Sequence, residues 1–544
     1  MKLRRIITIC FAGMTLTLAA QTHLEGEEYF KADQFNNAKT LLNRNLNNSG
    51  TDKGVSYYYM GRISLLEKKE SEAAKYFELG AQANPDYAYN YVGLGEISLR
   101  QGDTKVADEN FKTAEKLGKK EAGVQVAIAR AYYDVDATKY AKEIEKRMAK
   151  ARKLEMDSPE IYIFEGDMAA DKQDWGAAGA KYEMAANYDP QATGAYVKYA
   201  NLFKQVNPDY SVKMLKKLLE TSPNSALGQR ELANAYYQMQ NYKDAAIEYG
   251  KYVNNPNHFK EDEDRYAFLL FYDSEYKKGY DYATKLLQEN PNNFTAMRYQ
   301  FMNAAQIKEM ENQLLPMAEA LYAAHKQNPT VNKFAPIDFT LIADELNRAK
   351  KSEEAVAVLQ EAMKEMPNNS NFDKQLASIY VDLNDLPKAA DAFSAYMKKS
   401  KEPDYNDYVQ LAIYEYFAGV QLKDSDATKS ATYYDAASAN ANKASSIAPQ
   451  QYKPKKILGD IAIAKASKAE AAFAGEPLYS EAIVLLESSK DPSRYKSDAK
   501  AMYNYLGNYY LEKKDVAKAK EYFNKVVELD PTNEAYRKFV ESLK

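Results

Sequence analysis

Residues 503–531 read "YNYLGNYYLEKKDVAKAKEYFNKVVELDP" and begin with one clear helical pattern. Tyr503, Leu506 and Tyr510 follow one another at intervals of three and four residues, with the small Gly507 beside them. Side chains at these intervals lie on one face of an α-helix. The first half of the stretch therefore predicts an amphipathic helix.

The second half of the stretch repeats this arrangement after the polar residues 513–515. Ala519, Phe523 and Val526 form a second apolar face, and Pro531 ends it because proline cannot continue a helix. The whole stretch predicts a helical hairpin. One hairpin cannot bury its own apolar face, so it must stack on another element.

The same spacing recurs along the chain, which indicates an internal repeat. The prolines that close repeat units lie at positions 190, 223, 256, 291, 329, 367 and 403, in steps of 33 to 38 residues. Small residues at a helix crossing let two backbones approach, and large aromatic residues fill the gap to the next hairpin. The residues that we predict to form this repeat core are Tyr57, Gly61, Ala73, Phe77, Gly95, Ala107, Phe111, Gly166, Ala178, Leu506, Gly507, Tyr510, Ala519, Phe523 and Pro531.

This pattern resembles the tetratricopeptide repeat family, whose unit has an aromatic residue, a Leu-Gly pair, Tyr, Ala, Phe and Pro at these offsets. The resemblance implies an all-α fold, a superhelix (solenoid) of about fourteen helical hairpins over residues 21–531. Residues 532–544 are expected to form a C-terminal capping helix. The units near 121–157, 294–329 and 405–492 are degenerate or carry insertions, so the exact count stays open.

The N-terminus has the pattern of a secretory signal peptide, which we assign to residues 1–20. A basic start precedes the apolar residues 6–20, and small residues place cleavage after Ala19 or Ala20. A retained anchor is the alternative, although a membrane span needs roughly 20 apolar residues. We expect an exported protein of the periplasm or envelope of a Gram-negative bacterium, with no integral membrane segment after leader removal.

Charge and cysteine content narrow the function further. Leader removal takes away Lys2, Arg4 and Arg5 and moves the formal net charge from −4 to −7. Nucleic-acid binding needs a concentrated basic face, so we expect no nucleic-acid partner. The single cysteine, Cys10, lies in the leader, so the mature chain has no thiol for redox or zinc chemistry.

The chain offers few residues for catalysis. His23, His258 and His325 belong to no metal-ligand motif, and a structural or surface role is expected for each. The stretch "GLGEIS" (93–98) follows a helical pattern rather than a strand, so it is not read as a dinucleotide loop. The sequence predicts no catalytic residue, no metal site and no cofactor.

Three irregular features allow two interpretations each. "EDED" (261–264) either opens a helix, where acids favour the positive end of the dipole, or forms a cation site. Trp175 either pins a turn between helices or stacks on a ligand. The insertions at 418–444 and 464–480 are rich in Ala and Lys, so extended helices are expected, either as a docking ledge or without functional consequence.

The resemblance also implies a binding surface, because in this family the first helix of each unit lines a concave face. The positions that would contact a peptide or an anion are Asn201, Arg230, Asn234 and Tyr237, where Arg and Asn lie one turn apart. The next unit departs from the family's carboxylate clamp, with Asp264 and Arg265 in place of Asn and Lys. An ordinary solvated surface is the alternative.

The sequence therefore favours a non-enzymatic scaffold that binds proteins or peptides, with the partner and the oligomeric state left open. Exposed spacer positions such as Asn504, Asn508 and Glu512 are where recognition is expected in the C-terminal hairpin. One alternative is a carbohydrate- or polymer-binding envelope protein that stacks groove tyrosines on sugar rings. Another is an enzyme that uses the carboxylates of residues 261–264.

Overall fold

The computed structural model of the protein describes residues 24–468, 470–489 and 492–543. The predicted signal peptide, Cys10 and His23 lie outside these residues. Throughout the described part the regular secondary structure is helical, and no strand occurs there. None of the helices in these ranges has the length and apolar character needed to cross a membrane. The chain divides into two compact units between residues 283 and 284.

The first unit contains helices α1 to α15 and the first part of α16, within which the division falls. Their bounds are α1 Leu24–Lys31, α2 Phe35–Asn45, α3 Lys53–Leu66, α4 Glu70–Ala83, α5 Ala88–Arg100, α6 Thr104–Leu117, α7 Ala122–Asp136, α8 Ala141–Leu154, α9 Pro159–Asp171, α10 Trp175–Tyr188, α11 Thr193–Phe203, α12 Pro208–Thr221, α13 Ala226–Gln238, α14 Tyr242–Tyr252, α15 Glu261–Tyr272 and α16 Tyr276–Glu289.

The second unit continues with helices α17 to α30 and two short 3-10 helices, Lys308–Gln313 and Pro492–Tyr495. The α-helices are α17 Phe294–Ala304, α18 Leu314–Gln327, α19 Pro336–Arg348, α20 Ser352–Glu365, α21 Ser370–Asp382, α22 Leu386–Lys399, α23 Tyr405–Leu422, α24 Ala427–Ile447, α25 Lys453–Lys465, α26 Ala471–Ala474, α27 Glu476–Glu487, α28 Lys496–Glu512, α29 Val516–Leu529 and α30 Glu534–Ser542.

Consecutive helices pack in pairs, and the described residues form fourteen such hairpins with α30 after the last. The predicted all-α fold of about fourteen hairpins is confirmed. The first insertion lengthens α23 and α24 to 18 and 21 residues, as expected. The expectation of an extended helix at 464–480 is wrong, because α25 ends at Lys465 and only the four-residue α26 precedes α27.

Close contacts at the helix crossings explain the repeat pattern. A Cβ added at Gly61 would lie 2.5 Å from the ring of Phe77, and one added at Gly166 would lie 2.5 Å from the ring of Tyr182. Such distances leave no room for any residue larger than glycine. Of the predicted core residues, Tyr57 and Tyr510 are half-buried and Pro531 is exposed beyond the end of α29, whereas the others are buried.

The turn inside many hairpins has a left-handed residue followed by a helix cap. Asp103, Asp174 and Asp515 each follow such a residue, and each side chain accepts a hydrogen bond from a backbone N–H of the next helix. These caps provide acceptors for backbone N–H groups that have no hydrogen-bond partner within the helix. The residues with positive φ in these turns are Asp33, Lys68, Gly102, Gln173, Gln240, Ser274, Lys350, Asn384 and Lys514.

Trp175 begins α10 and is 57% exposed. The prediction that its ring pins the turn is therefore wrong in mechanism. The turn is held instead by the left-handed Gln173 and by Asp174, whose carboxylate accepts a hydrogen bond from the N–H of Ala177.

The first hairpin, α1 with α2, packs differently from the others. Besides its neighbour α3, helix α1 contacts α11 and α13, which begin the sixth and seventh hairpins. Contacts in a simple stack of repeats join mainly adjacent units. In the first unit, α1 therefore lies against the inner face that the first helices of the later hairpins form.

Candidate functional site

Two cavities border α1 in the first unit. The larger, about 1080 Å³, lies at the helix ends and is lined mainly by polar residues of turns. The smaller, about 400 Å³, lies between α1 and the first helices α3, α5, α7, α9 and α11. Cavities of about 300–1,000 Å³ lined by aromatic residues and a few polar groups are typical ligand sites. The smaller cavity, here called the inner cavity, is the candidate site.

Two half-buried carboxylates hold α1 in place. Glu28 accepts hydrogen bonds from Thr193 Oγ1 at 3.1 Å and Ser225 Oγ at 2.9 Å. Glu25 Oε1 accepts one from the N–H of Ala226, the first residue of α13, at 3.1 Å. The positive end of a helix dipole favours a negative group at this point. These bonds join residues about 165 to 201 positions apart in the chain.

Burial raises the pKa of both carboxyl groups. Removal from water, together with the nearby Glu28, raises the pKa of Glu25 to about 8. Burial also raises the pKa of Glu28. Glu25 Oε2 is buried and has no hydrogen-bond partner, as expected for a carboxyl group whose neutral form is favoured. We therefore expect the attachment of α1 to depend on pH near neutrality.

Tyrosine and phenylalanine rings line one side of the inner cavity. The rings of Tyr58 and Tyr59 have centroids 5.0 Å apart, and Tyr59 also contacts Phe30 of α1 at 5.0 Å. Tyr87 and Tyr89 lie 5.1 Å apart beside them. Burial raises the pKa of all four tyrosines, so the hydroxyl groups stay neutral and can donate hydrogen bonds.

Arg62 of α3 is the first charged group of the cavity, and its two partners lie on α5 and α7. Arg62 donates hydrogen bonds to Glu96 and, at 2.7 Å, to Asp134 Oδ2. Burial opposes the charge of Arg62, but these two carboxylates outweigh burial and raise the pKa of its guanidinium. The guanidinium therefore remains charged inside the unit.

A second set of ion pairs joins the turn after α1 to the opposite wall of the cavity. Lys198 Nζ lies 2.8 Å from Asp33 Oδ2 and 2.7 Å from Asp167 Oδ1. Arg130 pairs with the same Asp167 at 2.5 Å and covers the ring of Phe164, 4.6 Å from its centroid. Burial raises the pKa of Asp167, but these two cations outweigh burial and leave it lowered. The cavity thus offers charged hydrogen-bonding groups whose charges are balanced within the protein.

The structure places the predicted contact residues on α11 and α13. Asn201 is exposed near the end of α11. Arg230 donates to Asp262 Oδ2 at 2.6 Å and, at 3.4 Å, to Gln34 Oε1 of the first hairpin. The guanidinium of Arg230 also lies 5.2 Å from the centroid of the Phe259 ring. Its charge is therefore already matched by Asp262.

The other two predicted contact residues form a cluster with the following hairpin. Asn234 Oδ1 accepts hydrogen bonds from Tyr249 at 2.5 Å and Arg265 at 3.0 Å. The guanidinium of Arg265 lies 5.2 Å from the centroid of the Tyr237 ring. Arg265, which departs from the family's clamp in sequence, thus connects Asn234 with Tyr237. A role for Asn201, Arg230, Asn234 and Tyr237 in binding a peptide stays a prediction.

The acids of residues 261–264 do begin a helix, α15, as predicted. Their partners could not be read from the sequence. Asp262 binds Arg230, and Glu263 Oε1 lies 3.0 Å from Nε2 of His258. These pairs connect α15 to the turn before it and to α13.

Comparisons with known proteins agree with the repeat pattern. The sequence model of the tetratricopeptide repeat matches residues 501–533. No curated protein matches this chain.

Solved structures with similar folds include repeat proteins from several organisms. One is the C-terminal part of a tetratricopeptide repeat-containing protein from Cytophaga hutchinsonii, 17% identical, covering 51% of this chain and 98% of its own, with a TM-score of 0.41. A tetratricopeptide repeat protein from Parabacteroides merdae is 17% identical and covers 56% and 98%, with a TM-score of 0.29. Yeast Tom70 is 13% identical and covers 96% and 98%, with a TM-score of 0.27.

All three scores are below 0.5, so these neighbours bear on neither the shape nor the function of this chain. Residues 501–533 of this chain match the tetratricopeptide repeat, and the described residues form fourteen helical hairpins.

Proposed function

We propose that this protein is a non-enzymatic scaffold that binds a protein or peptide partner in the inner cavity of its first unit. The tetratricopeptide fold itself suggests a protein-interaction scaffold. The observation that supports binding in the inner cavity is its lining, where neutral tyrosines face paired Arg, Lys and Asp side chains. Aromatic rings and arginine dominate the binding energy at many protein interfaces.

The paired charges suit a ligand that carries both charge and hydrogen-bonding groups. A carboxylate of the ligand can share Arg130 or Lys198 with Asp167, because these cations keep further donors. A peptide amide can bind the neutral tyrosine hydroxyls. About 400 Å³ accommodates a short peptide segment rather than a folded domain.

We further propose that the protein is exported to the periplasm or envelope of a Gram-negative bacterium. The support is the leader pattern of residues 1–20. Fractionation of cells with N-terminal sequencing of the recovered chain tests this, and a chain that begins at Ala20 or Gln21 in the periplasmic fraction is expected. Recovery from the cytosol with Met1 retained would contradict export.

Site-directed photocrosslinking in cells tests the binding site. A photoreactive residue at Ala127, on α7 in the cavity wall, is compared with one at Lys142, exposed on α8 of the same hairpin. We expect Ala127 to capture a discrete envelope protein, identified by mass spectrometry, and Lys142 not to capture it. Equal capture at both positions, or capture at Lys142 alone, would contradict binding in the cavity.

A second candidate function is carbohydrate binding. The observation that favours it is the group of tyrosines at 58, 59, 87 and 89, since sugar rings bind well against aromatic faces. A glycan array probed with the full chain distinguishes the two functions. Binding to glycans that is lost in Tyr89→Ala would favour carbohydrate, and binding to peptides alone would exclude it.

A further inference from the structure

His325 is held in one orientation inside the second unit. Its side chain on α18 is fully buried, with the ring of Phe334 parallel to it at 4.0 Å and the ring of Phe339 edge-on at 5.4 Å. Nδ1 lies 2.8 Å from the backbone carbonyl oxygen of Asn332. A carbonyl can only accept, so Nδ1 carries the hydrogen. The other ring nitrogen, Nε2, therefore faces the groups on the opposite side of the ring.

Two glutamates on α20 occupy that side. Glu365 Oε1 lies 3.1 Å from His325 Nε2. Glu361 precedes Glu365 by four residues, which places both carboxylates on one face of the helix. One ligand atom from each of the three residues lies within 4.8 Å of the others, and among the described residues no other set of three such side chains is brought together this way.

Further side chains orient Glu361. The hydroxyl group of Tyr322 donates to Glu361 Oε2 at 2.5 Å, and Lys326 Nζ lies 3.6 Å from the same oxygen. Both contacts use one oxygen, so Oε1 is the one available to an ion. Metal-binding histidines typically donate their second N–H to a carbonyl, and metal-binding carboxylates are typically hydrogen-bonded in turn. Both features are present here.

We propose that His325 Nε2, Glu361 and Glu365 bind a divalent transition-metal ion, with Zn²⁺ the best match. Zinc commonly takes three protein ligands from His and Glu and keeps a fourth position for water. Two carboxylates and a neutral imidazole balance the charge of the ion. The site joins α18 to α20 and thereby connects two successive hairpins.

The geometry requires only a small adjustment. Ligand atoms around a tetrahedral zinc ion are ~3.3 Å apart, given bond lengths of about 2.0–2.2 Å. The His325–Glu365 distance of 3.1 Å is already close to this value. The glutamate side chains, about one-third exposed, can rotate to close the remaining gap.

The first unit contains a natural control. His258 also has Nδ1 at 2.7 Å from a backbone carbonyl, of Asn255, and Nε2 at 3.0 Å from a glutamate, Glu263. Among the described residues, His258 does not belong to a group of three possible metal ligands such as the one at His325. An ordinary His–Glu hydrogen bond accounts for His258. At His325, Glu361 adds a second carboxylate beside Glu365.

The test measures Zn²⁺ affinity of the full chain, freed of any affinity tag, by competition with a chromophoric chelator. We expect one tight equivalent, at least tenfold weaker in Glu361→Gln and in Glu365→Gln, and unchanged in His258→Asn. The glutamine variants keep side-chain volume at partly exposed positions, so circular dichroism should show an unchanged helical signal. Cobalt substitution should give a visible absorption band that both glutamine variants lose.

Three outcomes would overturn the proposal. The first is wild-type zinc affinity no greater than that of Glu361→Gln, which would mean binding at surface carboxylates only. The second is an equal loss in His258→Asn, which would mean that the ion does not bind at His325. A helical Glu365→Gln variant that keeps full affinity would also exclude the site.

Discussion

The hairpins α3/α4 and α28/α29 have equivalent buried residues at the helix crossing. They differ on the face that points away from this crossing. Gly61 and Phe77 in the first correspond to Gly507 and Phe523 in the second, and in both pairs the glycine lies against the ring. At the positions between these core residues, the two hairpins have different amino acids, and these amino acids lie in different environments.

Tyr58 and Arg62 of the first hairpin occupy the positions that Asn504 and Asn508 occupy in the last one. Tyr58 is 8% exposed and Arg62 is 6% exposed, whereas Asn504 and Asn508 are exposed. The difference arises because α1 and the later first helices of that unit cover the face of α3. The core positions thus determine the fold, and the spacer positions determine what a hairpin can bind.

Replacing the aromatic residue that both hairpins share should have the largest effect. Phe77→Ala and Phe523→Ala each remove a ring that is fully buried. Each should lower the free energy of unfolding by about 3–5 kcal/mol, because a cavity remains where the ring was. Guanidinium unfolding followed by circular dichroism measures this. A loss below about 1 kcal/mol in either variant would contradict a shared core.

Replacing the spacer residue should change the stability of the two hairpins by different amounts. Arg62→Met leaves Glu96 and Asp134 without their shared cation and should cost about 3 kcal/mol, since one partner of a buried pair is lost. Asn508→Ala lies on an exposed face and should change stability by less than ~0.5 kcal/mol. The same unfolding measurement applies. Equal effects of the two substitutions would remove the proposed difference between the hairpins.

Changing the pH should affect the first unit through Glu25. Its pKa rises from an ordinary value of 4.5 to about 8 on folding, so the folded state holds a proton that the unfolded state releases between these values. The free energy of unfolding should therefore fall as the pH rises from 5 to 8, by at least about 1 kcal/mol. Above pH 8 the contribution should be constant.

Glu25→Gln keeps an oxygen that can accept from the Ala226 N–H but cannot ionise. This variant should be more stable than wild type at pH 8 and should lose most of the pH dependence, as measured by hydrogen exchange in residues 24–46. Glu78→Gln, at an exposed position on α4, is the matched control and should keep the wild-type profile. An unchanged profile in Glu25→Gln would contradict the buried carboxyl group as the cause.

The smallest effects are expected in the hairpin turns. Gly102 has φ +82° with no atom within 4 Å of an added Cβ, and Lys514 has φ +62°. Gly102→Ala should cost about 1 kcal/mol through backbone strain alone, and Lys514→Gly should gain up to about 1 kcal/mol. Thermal unfolding of the two variants measures both. Effects of the opposite sign would show that the positive φ at these positions does not determine how the substitutions change stability.

Local sequence periodicity was sufficient to predict the hairpins. The spacing of glycine, alanine and aromatic residues reflects contacts between neighbouring helices, and such contacts repeat every 34 residues or so. The helical start at residues 261–264 and the lengthened α23 and α24 follow from the same local rules. The end of α25 at Lys465 could not be read from helix propensity, because alanine and lysine are good helix formers in any context.

Contacts between distant residues carry no comparable signal in one sequence. The bonds from Glu28 to Thr193 and Ser225 span 165 and 197 residues, and no periodic pattern marks them. His325 and Glu365 are likewise 40 residues apart, and α18 and α20 bring them together. The pairing of Arg230 with Asp262 explains why a residue that looked available for a ligand already has a partner.

In the first unit, α1 and the turn after it pack against the inner face that the first helices of the later hairpins form. Gln34 Nε2 donates to Glu231 Oε1 at 2.7 Å across this contact. The chain has one native cysteine, Cys10, so cysteines placed at 34 and 231 in a Cys10→Ser background can be joined by a short bismaleimide. We expect efficient intramolecular crosslinking in the native chain and none in denaturant or in the single-cysteine variants. No native crosslink, although both cysteines react with a monofunctional maleimide, would contradict it.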